Sequence, residues 1–149
     1  MTLKERLNED MKTAMKAKEE GKERLSVIRL ARAAIKNTEI DKRHELTDEE
    51  VIEVLAREVK QRKDAMAEFG EKAGPEYTAK LQGEVDILMD YLPQQMSEED
   101  LRQVIKEVVA QVGATSQKEM GKVMGQLMPR VKGRADGKLV NQIVRELLS

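Results

Sequence analysis

Apolar side chains in the last thirty residues recur at three- and four-residue steps, and that period admits one kind of local structure. Met120, Val123, Met124, Leu127, Met128 and Val131 fall on one face of a helix, and Leu139, Val140, Ile143, Val144, Leu147 and Leu148 repeat the pattern. Between the two runs lies Lys132-Gly133-Arg134-Ala135-Asp136-Gly137. Gly133 can adopt the positive φ that ends a helix, and Asp136 can accept backbone N–H bonds as the N-cap of the next. A third run precedes them. Ser97-Glu98-Glu99-Asp100 supplies an N-cap and three acids where the helix dipole favours them, and Leu101, Val104, Ile105, Val108, Val109 and Val112 carry the stripe to Gly113. Three amphipathic helices of similar length joined by short turns bury their stripes on one another. Residues 97–149 are therefore expected to form a three-helix domain with its own core.

The same period runs through the rest of the chain. Leu3, Leu7, Met11, Ala14 and Met15 predict a helix after a Thr2 cap, ending near Gly21. From Lys22 a second helix buries Leu25, Ile28, Ala31 and Ile35 and sets Arg29, Arg32 and Lys36 on one polar face. That face reads either as a phosphate or partner contact or as a solvated surface paired with acids of the third helix. Thr47-Asp48-Glu49-Glu50 has the form of a capping box and opens a long helix to about Ala73, with Val51, Ile52, Leu55, Val59, Arg62, Met66 and Phe69 at heptad-like spacing. Pro75 suits the first turn of a fourth helix, whose Tyr77, Leu81, Val85, Leu88 and Leu92 return against the third. Pro93 interrupts the pattern, and Tyr91 to Met96 reads as a boundary. The fold class is all-α: an N-terminal four-helix region over residues 1–93, then the C-terminal three-helix domain.

Residue types missing from the chain exclude several functions. There is no Cys, hence no disulfide or thiolate chemistry, and no apolar run of the length a membrane span or signal peptide needs, so a cytoplasmic protein without membrane contact is expected. Phe69, Tyr77 and Tyr91 are the only aromatics, too few for a platform that stacks single-stranded bases. No serine sits in a nucleophile motif, His44 stands alone, and there is no phosphate-binding glycine loop. Glu84, Asp86 and Asp90 lie close together on the fourth helix, yet no His or facing carboxylate pair joins them, and a solvated or ion-paired face fits them better than a metal or acid–base site. No catalytic residue, metal or cofactor is assigned.

A formal net charge of −1 conceals an uneven distribution. Residues 1–46 carry 12 basic and 9 acidic side chains, residues 47–100 carry 6 and 15, and residues 101–149 carry 9 and 4. The basic excess of the last third gathers around one turn, where Lys118, Lys122, Arg130, Lys132, Arg134 and Lys138 face only Glu119 and Asp136 in the same span. Gly133 has no side chain to keep phosphate oxygens from backbone N–H groups. Lys122, Arg130, Lys132, Gly133, Arg134 and Lys138 are accordingly the candidate RNA-binding residues, against the plainer reading of ordinary surface cations. Gly121 and Gly125, four apart, leave a bare strip on the middle helix that suits either close helix packing or close approach by a partner or ligand. Pro129 lacks the N–H that would bond to the Gly125 carbonyl, so the last turn is expected to kink or loosen.

Gly125-Gln126-Leu127-Met128, Lys132-Gly133-Arg134-Ala135-Asp136 and Leu139-Val140-Asn141 together are similar to the tail domain of the B subunit of tRNA-dependent amidotransferases. The chain as a whole resembles the stand-alone members of the GatB/YqeY family. Pro129 stands where the amidotransferase tail usually has lysine, which removes one candidate phosphate contact, and Gly137 stands where it has proline. The resemblance implies a non-catalytic accessory that binds tRNA and is linked to the amidation of Glu- or Asp-tRNA, with an amidotransferase or aminoacyl-tRNA synthetase as a protein partner. One alternative is a protein-interaction module that docks on a translation enzyme. Another, carried by family association alone, is participation in carbon–nitrogen ligase activity with glutamine as amido donor.

Overall fold

Helices form wherever the apolar period and a capping residue coincide, and the computed structural model, which describes residues 1–149, contains no strand. The order is α1 (Leu3–Lys16), a 3₁₀ turn (Lys18–Gly21), α2 (Lys22–Lys42), α3 (Asp48–Ala73), α4 (Pro75–Met89), α5 (Glu98–Val112), a second 3₁₀ turn (Gln117–Glu119), α6 (Met120–Val131) and α7 (Gly137–Leu148). Thr2 with Glu5 and Thr47 with Glu50 form complete capping boxes, and Ser97 and Asp136 cap α5 and α7. Left-handed backbone ends α2 at Arg43 (φ 61°) and α5 at Gly113 (φ 69°). α1 stops at Lys16, short of the expected Gly21, because Lys18 takes a positive φ of 54° and the chain tightens into the 3₁₀ turn. α6 runs through Pro129 to Val131, where the Lys132 N–H still closes onto the Met128 carbonyl at 2.9 Å.

The chain divides into two compact units, Met1–Leu92 and Pro93–Ser149. In the first, α1 and α2 run antiparallel, as contacts of Lys4 with Glu39 and of Met11 with Arg32 require. Their inner faces meet α3 and α4 over a core centred on Leu7, Ile28, Val51, Leu55 and Leu88. Val27 and Val54 are buried as well, although the stripes expected on α2 and α3 omit them. Phe69, expected on the packing face of α3, is 48% exposed, since the partly buried rim of this core reaches only as far as Met66. Tyr91, expected at a boundary, belongs to this core: its hydroxyl donates to the Asp10 carboxylate and the Arg6 guanidinium lies 4.4 Å from its ring centroid. Burial first, and then the Asp10 carboxylate, push the Tyr91 hydroxyl well above the usual phenol range.

The three carboxylates toward the end of α4, the last of them its C-cap Asp90, are engaged one by one. Glu84 accepts from Arg62 Nε at 2.8 Å, Asp86 from Gln82 at 2.8 Å and Asp90 from Arg24 at 3.3 Å. No group of acids and histidines in the chain has metal-binding geometry. In the second unit, Leu101, Ile105 and Val108 of α5, Val123, Leu127 and Val131 of α6, and Val140, Ile143, Val144 and Leu148 of α7 close one core, with Met96, Met120, Met124 and Met128 half-buried at its edge. No helix is long and apolar enough to cross a membrane.

A candidate nucleic-acid interface in the second unit

The basic turn is built from both sides. Gly133, at φ 74°, lets the chain leave α6 sharply, and the Arg134 and Ala135 N–H groups fold back onto the Val131 carbonyl at 2.9 and 3.2 Å. Asp136 then accepts from the Lys138 N–H at 3.1 Å and starts α7. The residues before α5 are strapped across this turn. The Met96 N–H donates to the Arg134 carbonyl at 2.9 Å, Gln95 Nε2 to the Gly133 carbonyl at 2.8 Å, and Arg134 Nε to the Gln94 carbonyl at 3.2 Å. The second unit thus takes in Pro93 to Met96, ahead of the Ser97 cap.

Gln94 and Gln95 carry no hydrophobic period and are not among the residues that the sequence marks as candidates. The only signal for them was two consecutive amides beside a domain start. Their strap alters the reading of the corner in two ways. Arg134 is half-buried and one of its N–H groups holds the fold together, so it is not a cation projecting freely into solvent. Ser97 follows Met96 directly, so the acidic first turn of α5, Glu98 to Asp100, starts beside the basic turn. Replacing Gln95 with alanine removes one exposed hydrogen bond to the turn, and we expect a loss of about 1 kcal/mol in urea denaturation. An unchanged midpoint would show that Met96 and Arg134 hold the strap without it.

The remaining candidates differ in what neutralises them. Arg130 is paired with Glu107 of α5 at 3.0 Å, an exposed contact of small energetic weight. Lys132 is exposed at the start of the turn. Lys118, Lys122 and Lys138 are exposed, as is Arg145, and none has a carboxylate within ion-pair distance. The four acids downstream of Asp100 are all engaged inside the unit. Glu107 pairs with Arg130, Glu146 with Arg102 at 3.0 Å, Glu119 accepts from the Thr115 N–H at 3.0 Å, and Asp136 caps α7. Arg102 is also held by Glu98 at 3.1 Å, and these two carboxylates raise its affinity for the proton, Glu146 most.

Gly121 and Gly125 lie on the outer face of α6, opposite buried Val123, Leu127 and Val131. A Cβ built at either would meet nothing within 4 Å. Close packing against another helix of the second unit is therefore not their role; within that unit the strip is open. On α7, Lys138, Asn141, Gln142, Arg145 and Glu146 border a shallow depression.

The family model described as Yqey-like protein matches residues 4–148. The protein from Saccharomyces cerevisiae called Altered inheritance of mitochondria protein 41, mitochondrial, is 38% identical over 89 residues, which is 59% of this chain and 47% of the relative. Its namesake from Kluyveromyces lactis is 38% identical over 97 residues, 62% of this chain and 51% of the relative. The chain spans about half the length of these curated relatives. A family match that begins on the second residue of α1 and ends on the last residue of α7 takes in both helical units, and on that ground the chain belongs to the Yqey-like protein family.

Proposed function

We propose that this protein is a non-catalytic accessory of tRNA-dependent amidation that binds tRNA through the second unit. The observation that carries the reading is the internal use of every acid downstream of Asp100, while Lys118, Lys122, Lys138 and Arg145 stay exposed without a carboxylate. Resemblance to the amidotransferase tail domain supplies the class of nucleic acid. Lysines of this kind neutralise phosphates and fix the RNA without reading its bases. With three aromatics in the chain, stacking on splayed bases contributes little, which favours folded over single-stranded RNA.

Anisotropy titration of labelled tRNA against the full chain over a range of salt tests this. Contact with roughly three to five phosphates gives a log–log slope of roughly −2 to −4, and the pair Lys122→Glu with Lys138→Glu should flatten it by about 2 and weaken binding at low salt by more than about tenfold. Salt-independent binding, or a double variant that binds as tightly as the native chain, removes the proposal. The open glycine strip favours a second reading, a face that docks a helix of an amidotransferase or aminoacyl-tRNA synthetase. Gly121→Leu separates the two, because bulk on the strip blocks a docking helix and leaves the salt slope of tRNA binding in place.

A further inference from the structure

A cleft in the first unit, between α1 and α2, holds more positive charge than the fold uses. It is a cavity of about 450 Å³ floored by Leu7 and Ile35 and lined by Lys4, Arg32, Lys36 and Glu39. Its one carboxylate is spent. Glu39 Oε2 accepts from Lys4 Nζ at 2.6 Å and from the Leu46 N–H at 2.9 Å, and these bonds, that to Lys4 first, hold its carboxyl below the usual carboxylate range. Arg32 is steered differently. Its Nη1 lies 2.9 Å from the Met11 sulfur on α1, a neutral acceptor that orients the guanidinium and leaves its charge uncompensated. Lys36 is one turn further along α2, exposed, with no carboxylate within ion-pair distance.

We propose that this cleft binds a phosphate group through Arg32 and Lys36, with Lys4 as a third donor held in place by Glu39. Three cations and one carboxylate leave two positive charges, which a phosphate monoester of about −1.5 to −2 at neutral pH matches and a single carboxylate does not. The guanidinium offers a planar fork to two phosphate oxygens, and the lysines add point charges. From Arg32 to Glu39 the cleft follows α2 for about 10 Å, longer than one phosphate needs. Its volume falls in the range of small-molecule sites, and the apolar floor suits the body of a phosphorylated ligand. This site lies on the first unit and does not rest on tRNA binding by the second.

Inorganic pyrophosphate is the probe, titrated into the ¹⁵N-labelled full chain at low salt with backbone amide shifts as readout. Saturable shifts confined to α1 and α2 are expected. Arg32→Gln and Lys36→Gln should each weaken binding by about tenfold, the scale of one charge-assisted hydrogen bond. Lys63→Gln, an equal loss of charge on α3, should leave it unchanged, and matching thermal melts establish that the variants fold. A short RNA duplex forms the second arm. If the Arg32 and Lys36 variants lose affinity for both probes, the phosphate is that of an RNA backbone; if they lose it for pyrophosphate alone, the ligand is a free phosphorylated molecule. No saturable shift in α1 and α2, or equal binding by the native chain and both variants, overturns the assignment. Loss of tRNA binding in the Lys122 and Lys138 variants with pyrophosphate binding intact bears on the second unit only.

Discussion

Alanine at position 21 is expected to destabilise the first unit by more than about 3 kcal/mol, beyond the usual range for overpacking, because the obstruction is backbone. A Cβ on Gly21 would sit 2.1 Å from the Ala14 carbonyl oxygen and 2.8 Å from the Ala14 C and Cα atoms. No rotamer can relieve a clash with main chain, so the last turn of α1 must separate from the start of α2. Conformation alone gives the opposite sign. Gly21 has φ −94° and ψ −1°, which alanine adopts freely, and a compatible Gly→Ala change stabilises by about 0.4–1 kcal/mol through the unfolded state. Gly125→Ala is the matched comparison. It lies inside α6 with nothing within 4 Å of the new Cβ and should stabilise by up to about 1 kcal/mol. Urea denaturation of the two variants decides the matter: a Gly21→Ala midpoint at or above the native value would mean that α1 and α2 do not approach so closely. A Gly125→Ala gain would also show that the glycine costs helix stability with no packing reason, which is what a face reserved for a partner predicts.

Helices were legible in this chain because their determinants are local. Thr47 and Glu50 cap α3, Asp136 caps α7 and Gly133 turns the chain between α6 and α7, each through atoms within a few residues. What escaped depends on segments that meet only in the folded state. Gly21 looks like any helix terminator until Ala14 is seen against it. Gly121 and Gly125 have the spacing of a packing motif whether the strip is covered or open, and only the fold distinguishes the cases. The candidate interface divides the same way. Basic excess after residue 100 is countable, but the Gln94–Met96 strap, which engages Gly133 and Arg134 just ahead of the acidic turn of α5, joins residues about forty apart through backbone carbonyls. Polar side chains that bind main chain leave no period to read.

Arg62 shows the same limit with a larger consequence, and Arg62→Met is expected to cost about 3 kcal/mol, the lower end of the scale for removing one partner from a buried ion pair, because these side chains are only partly buried. Heptad-like spacing put Arg62 among apolar residues of α3, as though its stem merely packed. The structure instead places its guanidinium between two carboxylates. Nε lies 2.8 Å from Glu84 on α4, Nη1 is 3.7 Å from the Glu58 carboxylate, and Nη1 also donates to the Glu58 carbonyl at 3.0 Å. The side chains of Arg62, Glu84 and Glu58 are 12%, 13% and 17% exposed, so water reaches them poorly. Without the guanidinium, two carboxylates stay at the α3–α4 seam with no cation between them, and the seam must open to let water reach them. Removing Glu84 as well relieves most of that penalty, because an apolar pair replaces the charged one and Glu58 alone can turn outward. Arg62→Met with Glu84→Leu should therefore recover much of the stability lost in the single variant. A double variant no more stable than Arg62→Met would mean that the guanidinium acts through its packing and not its charge. The ion pair is also directional in a way that Val85 and Leu88 are not, and apolar contacts tolerate sliding along the helix. Recovered stability with broadened amide signals between Leu81 and Leu88 would assign the pair to fixing the register of α4 on α3; recovered stability with sharp signals would leave that register to Val85 and Leu88.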